Sequence, residues 1–167
     1  GNTVIDALLM VSDRPEPPDL LPDIPEGAEI VLVEAHRREN WGEPMREICL
    51  GLRDIVRARD SVHIVFPVHL NPHVSETVHA ELDGEPRVHL LSPQDYLPFV
   101  MMMKRARVIL TDSGGIQEET TYLGVACLTL RDNTERPITV TQGTNRLLKP
   151  QELQSAVDAV LDGGARA

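Results

Sequence analysis

The chain has 167 residues, a length that favours one compact domain over two. Its hydrophobic fraction of 41% is enough for a core and too high for a disordered chain. A net charge of -10 argues against sequence-independent binding to nucleic acid, which needs a basic surface, and we expect no membrane span because no long apolar run is present. The two cysteines, Cys49 and Cys127, lie far apart in apolar stretches. This predicts buried thiols in a reducing compartment, and hence a cytoplasmic protein.

Residues 1–27 are predicted to form the end of a helix followed by a linker. The stretch from Asn2 to Val11 carries apolar residues at helical spacing. Residues 12–27 are rich in proline and acidic residues, a composition typical of a semi-extended linker. We therefore expect the compact domain to begin near Ala28 and to cover residues 28–167.

From Ala28 onward, strand and helix patterns alternate. Five apolar runs predict strands, at residues 29–34, 61–68, 87–91, 107–111 and 125–130. Helices are predicted after them, at residues 43–59, from 72, from 93, at 114–124 and at 150–161. Ser92 is expected to cap the helix that starts at Pro93. This alternation predicts an α/β fold, a Rossmann-like parallel sheet with helices on both faces, in which ligands bind at the carboxyl ends of the strands.

The segment T-D-S-G-G-I-Q-E-E, residues 111–119, predicts a phosphate-binding site. A strand delivers the chain to Ser113, and Gly114 and Gly115 let the backbone turn and let a ligand approach closely. The N–H groups that begin the next helix suit phosphate oxygens. Glu119 lies further into that helix, where a carboxylate can accept hydrogen bonds from ribose hydroxyls. The alternative is that Ser113 only caps the helix.

Two other clusters are candidate ligand groups. H-R-R-E-N, residues 36–40, follows the first strand directly, and arginine and histidine there suit an anion. The alternative is a solvated charged loop. In D-N-T-E-R-P, residues 132–137, Arg136 is placed to reach a phosphate, or it forms one weak surface ion pair. His69 and His73 have H-x-x-x-H spacing, but Pro72 separates them and no third ligand is obvious, so no metal site is expected.

Four segments in order resemble one family. They are H-R-R-E-N-W-G, P-V-H-L-N-P, D-S-G-G-x-Q-E-E and T-E-R-P, at residues 36–42, 67–72, 112–119 and 134–137. Their order and spacing are similar to the C-terminal half of bacterial non-hydrolysing UDP-N-acetylglucosamine 2-epimerases. The resemblance covers nearly the whole chain. It implies the C-terminal domain of a two-domain GT-B-type fold, a missing N-terminal domain, and UDP-sugar bound between the two.

The resemblance also implies roles for individual residues. The residues implied around the UDP phosphates or the reacting sugar are His36, Ser113, Gly114, Gly115 and Arg136. Glu119 is implied at the ribose, and Gln94 and Phe99 at the uracil. Arg37 and His69 match a second, effector UDP-sugar site found in some bacterial members.

The family's reaction inverts C2 of the sugar by eliminating UDP and adding it back, and it needs no metal or redox cofactor. The family's main acid and base carboxylates belong to the N-terminal domain, so His36 is the candidate catalytic residue in this half, with phosphate binding as its alternative role. We expect the isolated chain to bind UDP or a UDP-N-acetylhexosamine weakly and to be inactive. The resemblance further implies a homodimer and a role in envelope polysaccharide synthesis.

Other functions stay open on the sequence. They are a GT-B-type glycosyltransferase domain, a hydrolysing epimerase that releases UDP, and a binding module without activity. One departure from the family concerns Glu34, which stands where the family commonly has threonine. A carboxylate there would repel the phosphates unless Arg37 or Arg38 neutralises it.

Overall fold

The computed structural model describes residues 3–15, 19–130, 145–147 and 149–163. The strands in these ranges are β1 (Glu29–Glu34), β2 (Val62–Pro67), β3 (Val88–Leu91), β4 (Val108–Thr111), β5 (Ala126–Thr129) and β6 (Asn145–Leu147). The helices in these ranges are α1 (Thr3–Ser12), α2 (Glu43–Ala58), α3 (Pro72–Leu82), α4 (Tyr96–Arg105), α5 (Gly114–Leu123) and α6 (Leu153–Leu161). Short 3-10 helices cover Arg38–Asn40 and Pro150–Glu152.

The six strands form one parallel sheet in the order β3-β2-β1-β4-β5-β6. The chain builds outward from β1 to β3, returns to the other side of β1 with β4, and continues to β6. The direction of building therefore changes between β1 and β4, which is where ligands bind in sheets of this kind. The Rossmann-like fold class is confirmed.

Helices pack on both faces of the sheet, as predicted. Alternation along each strand sends neighbouring side chains to opposite faces, so Val31 and Val33 join one core and Ile30 and Leu32 the other. Helices α2, α3 and α6 cover the first face, and α1, α4 and α5 cover the second. The three methionines at 101–103 are buried, because each is at most 2% exposed.

The residues ahead of Ala28 contribute to the second core. Leu8 of α1 is fully buried, and Leu21 and Ile24 are 7% and 6% exposed. Helix α1 contacts α4 and α5. The domain boundary near residue 28 stays a prediction, and the segment that precedes it packs against the domain that follows.

The expected start of the fourth helix is wrong. Ser92 was expected to be its cap, but α4 begins at Tyr96 with Asp95 in the cap position. A helix that started at Pro93 would place Pro98 in its interior, where its ring clashes with a carbonyl four residues back. In the observed helix Pro98 is the third residue, where the missing N–H would have no intrahelical partner in any case.

The sixth strand, Asn145–Leu147, did not appear among the predicted elements. It extends the parallel sheet beyond β5. The other predicted strands and helices are confirmed to within a few residues at their ends. Within the described ranges, no helix is both long enough and apolar enough to cross a membrane.

Candidate functional site

The candidate site lies at the carboxyl ends of β1 and β4. Glu34 and Thr111 are register partners at the last position of each strand. The two loops that the sequence singled out, one beginning near His36 and the other at Asp112, therefore leave the sheet side by side. This brings together two clusters that lie more than 70 residues apart in the chain.

Asp112 holds these two loops together. Its carboxylate accepts hydrogen bonds from the backbone N–H groups of His36 and Arg37 and from the side-chain amide of Asn40, at 2.8–3.2 Å. Asn40 also donates to the carbonyl of Leu130, after β5. Burial raises the pKa of Asp112, while these hydrogen bonds oppose that change by favouring the carboxylate. Asp112 therefore sets the position of the His36 loop.

Helix α5 begins without a side-chain cap. Ser113 occupies the cap position, but its hydroxyl makes no cap hydrogen bond, so the expectation that it only caps the helix does not describe the structure. Its backbone N–H donates to the hydroxyl of Thr111 at 3.0 Å. The first N–H groups of an α-helix have no intrahelical partner, so this end of α5 can receive an anion.

Gly115 leaves space at the start of α5 because it has no side chain. Neither Gly114 nor Gly115 has a positive φ, so neither position requires the left-handed backbone conformation that favours glycine. Gly115 is exposed, and a Cβ added to it would meet only the Ser113 hydroxyl, at 3.9 Å. The backbone at the start of α5 is therefore open to close approach by a ligand.

A cavity of about 390 Å³ opens beside this helix end. Among the residues predicted to bind ligand, its lining includes His36, His69, Gln94, Phe99 and Glu119. The remaining lining residues are Glu34, Ala35, Pro67, Pro93, Tyr96 and Ile116. Strand ends β1 and β2 and helices α4 and α5 all contribute to this lining, so the fold gathers residues from four parts of the chain into one concave surface.

Glu119 and Tyr96 form a hydrogen-bonded pair in this cavity. The Tyr96 hydroxyl donates to Oε2 of Glu119 at 2.8 Å. Glu119 is only 6% exposed, and burial raises its pKa. Burial, followed by the bond to Glu119, raises the pKa of Tyr96 to about 12. The sequence pattern identified Glu119 but not its partner, because a tyrosine on an amphipathic helix carries no signal for a polar contact.

His36 faces Glu34 across the cavity wall. Its Nε2 lies 3.4 Å from Oε1 of Glu34. This hydrogen bond raises the pKa of His36 above the ordinary 6.5, while burial acts in the opposite direction. Neither Arg37 nor Arg38 neutralises Glu34. Arg37 pairs with Glu39 at 2.8 Å and Arg38 lies over the Trp41 ring, so the basic partner of Glu34 is His36.

Aromatic contacts join this loop to the residues around the start of α3. The rings of His36 and His69 stack with centroids 5.2 Å apart, and those of Trp41 and His73 stack at 4.4 Å. The indole N–H of Trp41 donates to the carbonyl of His36 at 3.1 Å. His69 and His73 therefore support the His36 loop rather than face one another as a ligand pair.

Glu34, His36 and Asp112 could be mistaken for a metal site, because their ligand atoms lie within 4.8 Å of one another. A carboxylate has about four acceptor positions, and Asp112 already accepts from three N–H groups, one of which contacts both of its oxygens. Glu34 is paired with His36. Hydrogen bonds account for this cluster, and we assign no metal to it.

One predicted ligand residue, Arg136, lies outside the described residues, as does the whole T-E-R-P segment. Arg37 lies on the rim of the site with its guanidinium on Glu39. Sequence reasoning missed the roles of Asp112, Asn40 and Tyr96. The signal for the first two was present, since Asn and Asp at strand ends commonly tie loops through side-chain to backbone hydrogen bonds.

Comparison with known proteins gives this arrangement a context. A family model described as UDP-N-acetylglucosamine 2-epimerase matches residues 1–166. The UDP-N-acetylglucosamine 2-epimerase of Salmonella typhimurium is 49% identical over 156 residues, which is 89% of this chain and 42% of that protein. The crystal structure of the UDP-GlcNAc 2-epimerase from Neisseria meningitidis, bound to UDP-GlcNAc, is similar with a TM-score of 0.92 and 38% identity. That match covers 98% of this chain and 46% of the other.

The chain therefore spans less than half the length of these relatives. A more distant similarity, to the glycotransferase of kitacinnamycin, has a TM-score of 0.62 at 19% identity and covers 93% of this chain and 38% of that one. At that identity the similarity concerns the fold alone, and it agrees with the predicted GT-B-type architecture.

Proposed function

Because this chain belongs to the UDP-N-acetylglucosamine 2-epimerase family, we propose that it is the nucleotide-sugar-binding half of such an enzyme. UDP lies at the edge where β1 and β4 end. One observation carries this proposal: a single cavity collects Gln94, Phe99 and Glu119 beside the uncapped start of α5. The activity of the whole protein, interconversion of UDP-GlcNAc and UDP-ManNAc, is part of the same proposal.

The diphosphate is assigned to the start of α5. Ser113, Gly114 and Gly115 offer backbone N–H groups and a hydroxyl, and the helix dipole adds positive potential there. This local potential matters because the chain as a whole carries a charge of -10. Arg136 is a further phosphate ligand on the sequence pattern alone.

The nucleoside is assigned to the cavity between α4 and α5. The half-buried Phe99 ring offers an apolar surface to uracil, and the Gln94 amide can both donate to and accept from its edge. Glu119 is a buried acceptor that suits the two ribose hydroxyls. The Tyr96 hydroxyl orients Glu119 for that contact.

His36 acts on the leaving group. In the proposed reaction the C2–H proton is removed and the bond from C1 to the UDP oxygen breaks, which leaves a C1–C2 double bond. Adding UDP and a proton back, with the proton on the other face of C2, completes the inversion. His36 lies next to the diphosphate position, where an imidazolium stabilises the departing negative charge.

Arg37 and His69 remain candidate residues of an effector site. His69 lines the cavity and stacks on His36, so a ligand that moved His69 would also move His36. We also propose that the protein forms a homodimer and that the compact domain begins near residue 28. Light scattering on the purified chain tests the dimer.

The test of the binding proposal is a calorimetric titration of UDP into the purified chain. We expect saturable binding with one site per chain, and a loss of affinity of about tenfold or more in Glu119→Gln, since ribose hydroxyls would lose a charged acceptor. Glu118→Gln is the matched control, because it removes the same charge from the adjacent position and should bind as the parent does. Absence of saturable binding up to roughly 1 mM UDP would contradict the proposal that this half builds the site.

Product analysis tests the activity. UDP-ManNAc formed from UDP-GlcNAc would support the epimerase, and free UDP with N-acetylmannosamine would instead indicate the hydrolysing class. We expect neither product from this chain alone, because the relatives are more than twice its length. Turnover by this chain would contradict the predicted inactivity.

A further inference from the structure

Glu34 is an unusual residue for its position in β1. Side chains alternate along the strand, and Leu32 and Ile30, two and four residues earlier, are buried in the core beneath α4 and α5. Glu34 continues that face at the point where the core opens into the cavity, and its side chain is 26% exposed. A carboxylate withdrawn from water in this way needs a partner.

Two groups approach the Glu34 carboxylate. Nε2 of His36 lies 3.4 Å from Oε1, and the Thr111 hydroxyl lies 3.5 Å from the same oxygen. Glu34 is thus bound from its own loop and from the neighbouring strand. Both contacts fix the carboxylate at the floor of the cavity.

The backbone of His36 is held on both sides independently of Glu34. Its N–H donates to Asp112, its carbonyl accepts from the indole of Trp41, and its ring stacks on His69. These contacts limit the imidazole to rotation of its own side chain. Glu34 therefore sets the direction in which Nε2 points, because its carboxylate is the acceptor that Nε2 contacts.

The charges around His36 favour its protonated form. Glu34 and Asp112 act to raise the pKa of His36, and Arg37 and burial act to lower it, with the bond to Glu34 the largest influence. Glu119, from α5, faces Glu34 across the cavity with Tyr96 on its other side. His69, from the loop before α3, contributes a stacked ring.

We propose that Glu34 is a positioning residue for His36: its carboxylate aims the imidazole into the cavity and keeps it as a cation for the diphosphate. This inference rests on the proposed function and deepens it. It also explains how a carboxylate is tolerated beside a phosphate site. The anion at Glu34 is matched by the imidazolium that it helps to create, so the pair adds little net charge while it fixes a donor in place.

The first experiment needs no ligand. Two-dimensional NMR follows the titration of the histidine rings in the free chain, and loss of one signal in His36→Asn assigns His36. We expect the His36 midpoint to lie above the ordinary value and to fall in Glu34→Gln, since the favourable charge is lost while burial remains. Glu29→Gln, at the other end of β1, is the matched control and should leave the midpoint in place. An unchanged His36 midpoint in Glu34→Gln would overturn the inference.

The second experiment connects this pair to binding. UDP-N-acetylglucosamine is the probe, because its diphosphate is blocked at both ends, whereas the terminal phosphate of UDP titrates near pH 6. We expect affinity to decrease as pH rises through the His36 midpoint. In Glu34→Gln this decrease should occur at lower pH, and affinity near neutral pH should be roughly threefold to tenfold weaker. In His36→Gln the pH-dependent step should disappear in the presence or absence of Glu34.

The two experiments separate the two proposals. If the NMR midpoint shifts as expected but the sugar nucleotide does not bind, the pair stands and the proposed function fails. If the sugar nucleotide binds with the same pH profile in the parent and in Glu34→Gln, the positioning role is overturned while the binding site stands. Glu34→Asp, which keeps the charge on a shorter side chain, should restore part of the pH profile.

Discussion

Charged residues have different partners at the two ends of the parallel sheet. At the amino end, arginines bind groups of the protein itself. Arg87 donates to the carbonyls of Val56, Arg59 and Val62, and Arg59 pairs with Asp158 and Asp162. At the carboxyl end, the buried acids Asp112 and Glu119 lie beside an open cavity and an uncapped helix.

This difference separates structural from ligand-binding polar groups. The guanidinium of Arg87 uses its donors on backbone carbonyls at the end of α2 and the start of β2. The start of α5 has donors left over, and the cavity beside it has acceptors. Changes at the amino end should therefore affect stability alone, whereas changes at the carboxyl end should affect binding, with Asp112 as the residue that affects both.

The largest effect is expected for Asp112→Ala. The change leaves the N–H groups of His36 and Arg37 without their acceptor, and the Asn40 amide keeps only its longer contact with Leu130. We expect the free energy of unfolding to decrease by about 2–4 kcal/mol. We also expect UDP binding to be lost, because the His36 loop moves. Urea denaturation measures the free energy of unfolding, and calorimetry measures UDP binding. Asp162→Ala at the amino end removes an exposed ion pair with Arg59 and should change stability by less than about 1 kcal/mol.

Arg87→Met should destabilise the chain by about 2 kcal/mol and leave the affinity for UDP unchanged. Its aliphatic part still fills the space, but three backbone carbonyls lose a donor. Urea denaturation and a UDP titration of the same preparation measure the two quantities. A weaker affinity in folded Arg87→Met would contradict the separation of the two ends.

Two glycine-to-alanine changes are expected to affect different properties, one of them UDP binding and the other stability. Gly115→Ala places a methyl group where the phosphate is proposed to approach, and should weaken UDP binding by roughly tenfold without loss of stability. Gly51→Ala would bring a methyl group 2.8 Å from Cδ2 of the buried Leu153, and should cost about 1 kcal/mol or more of stability while UDP still binds. Melting temperatures and calorimetry compare the pair. If Gly115→Ala bound UDP as tightly as the parent chain, the assignment of the phosphate to the start of α5 would be wrong.

Tyr96→Phe should weaken UDP binding by about threefold. The change removes the donor that orients Glu119 but leaves the carboxylate and the ring in place. Calorimetric titrations of UDP into Tyr96→Phe and into Glu119→Gln measure the two affinities for comparison. Equal or tighter binding would mean that the tyrosine competes with the ribose for Glu119.

The smallest effect concerns His63 and His89, which lie on β2 and β3. Their ring nitrogens are 2.9 Å apart, which requires one donor and one acceptor. Burial lowers the pKa of His63 and that of His89, so below pH 6.5 the unfolded chain binds more protons and stability falls as pH decreases. Replacing both histidines by valine should remove a decrease in melting temperature on the order of 2 °C over that range. The same pH dependence in the double variant would count against this pair as its source.

The alternation of elements, and with it the pairing of the two loops that form the candidate site, could be predicted from local patterns. Strand runs, the Asn71-Pro72 helix start and the turn at Ser113 are encoded within a few residues, and the Asn71 side chain caps α3 as its sequence indicates. The start of α4 could not be predicted from Ser92 and Pro93 alone. A second proline five residues later decided it, because two helix starts competed and only one avoids an interior proline.

Contacts between distant residues explain what the patterns missed. Asp112 meets Asn40 across 72 residues, and the partner of Glu34 proved to be His36 rather than an arginine. Arginine is the usual partner for a carboxylate, but Arg37 is directed to Glu39 and Arg38 to Trp41. Only the fold determines which side chain reaches a given acid.

The central claim is that the carboxyl end of the sheet, where β1 and β4 diverge, is the nucleotide-binding end. Amide chemical shifts of the isotope-labelled chain, recorded as UDP is added, test it most directly. The account predicts changes at Ser113, Gly115 and Glu119 and at the Gln94 side-chain amide, with Arg59, Arg87 and Arg107 at the amino end unaffected. Changes centred on the amino end, or no changes at saturating UDP, would contradict it.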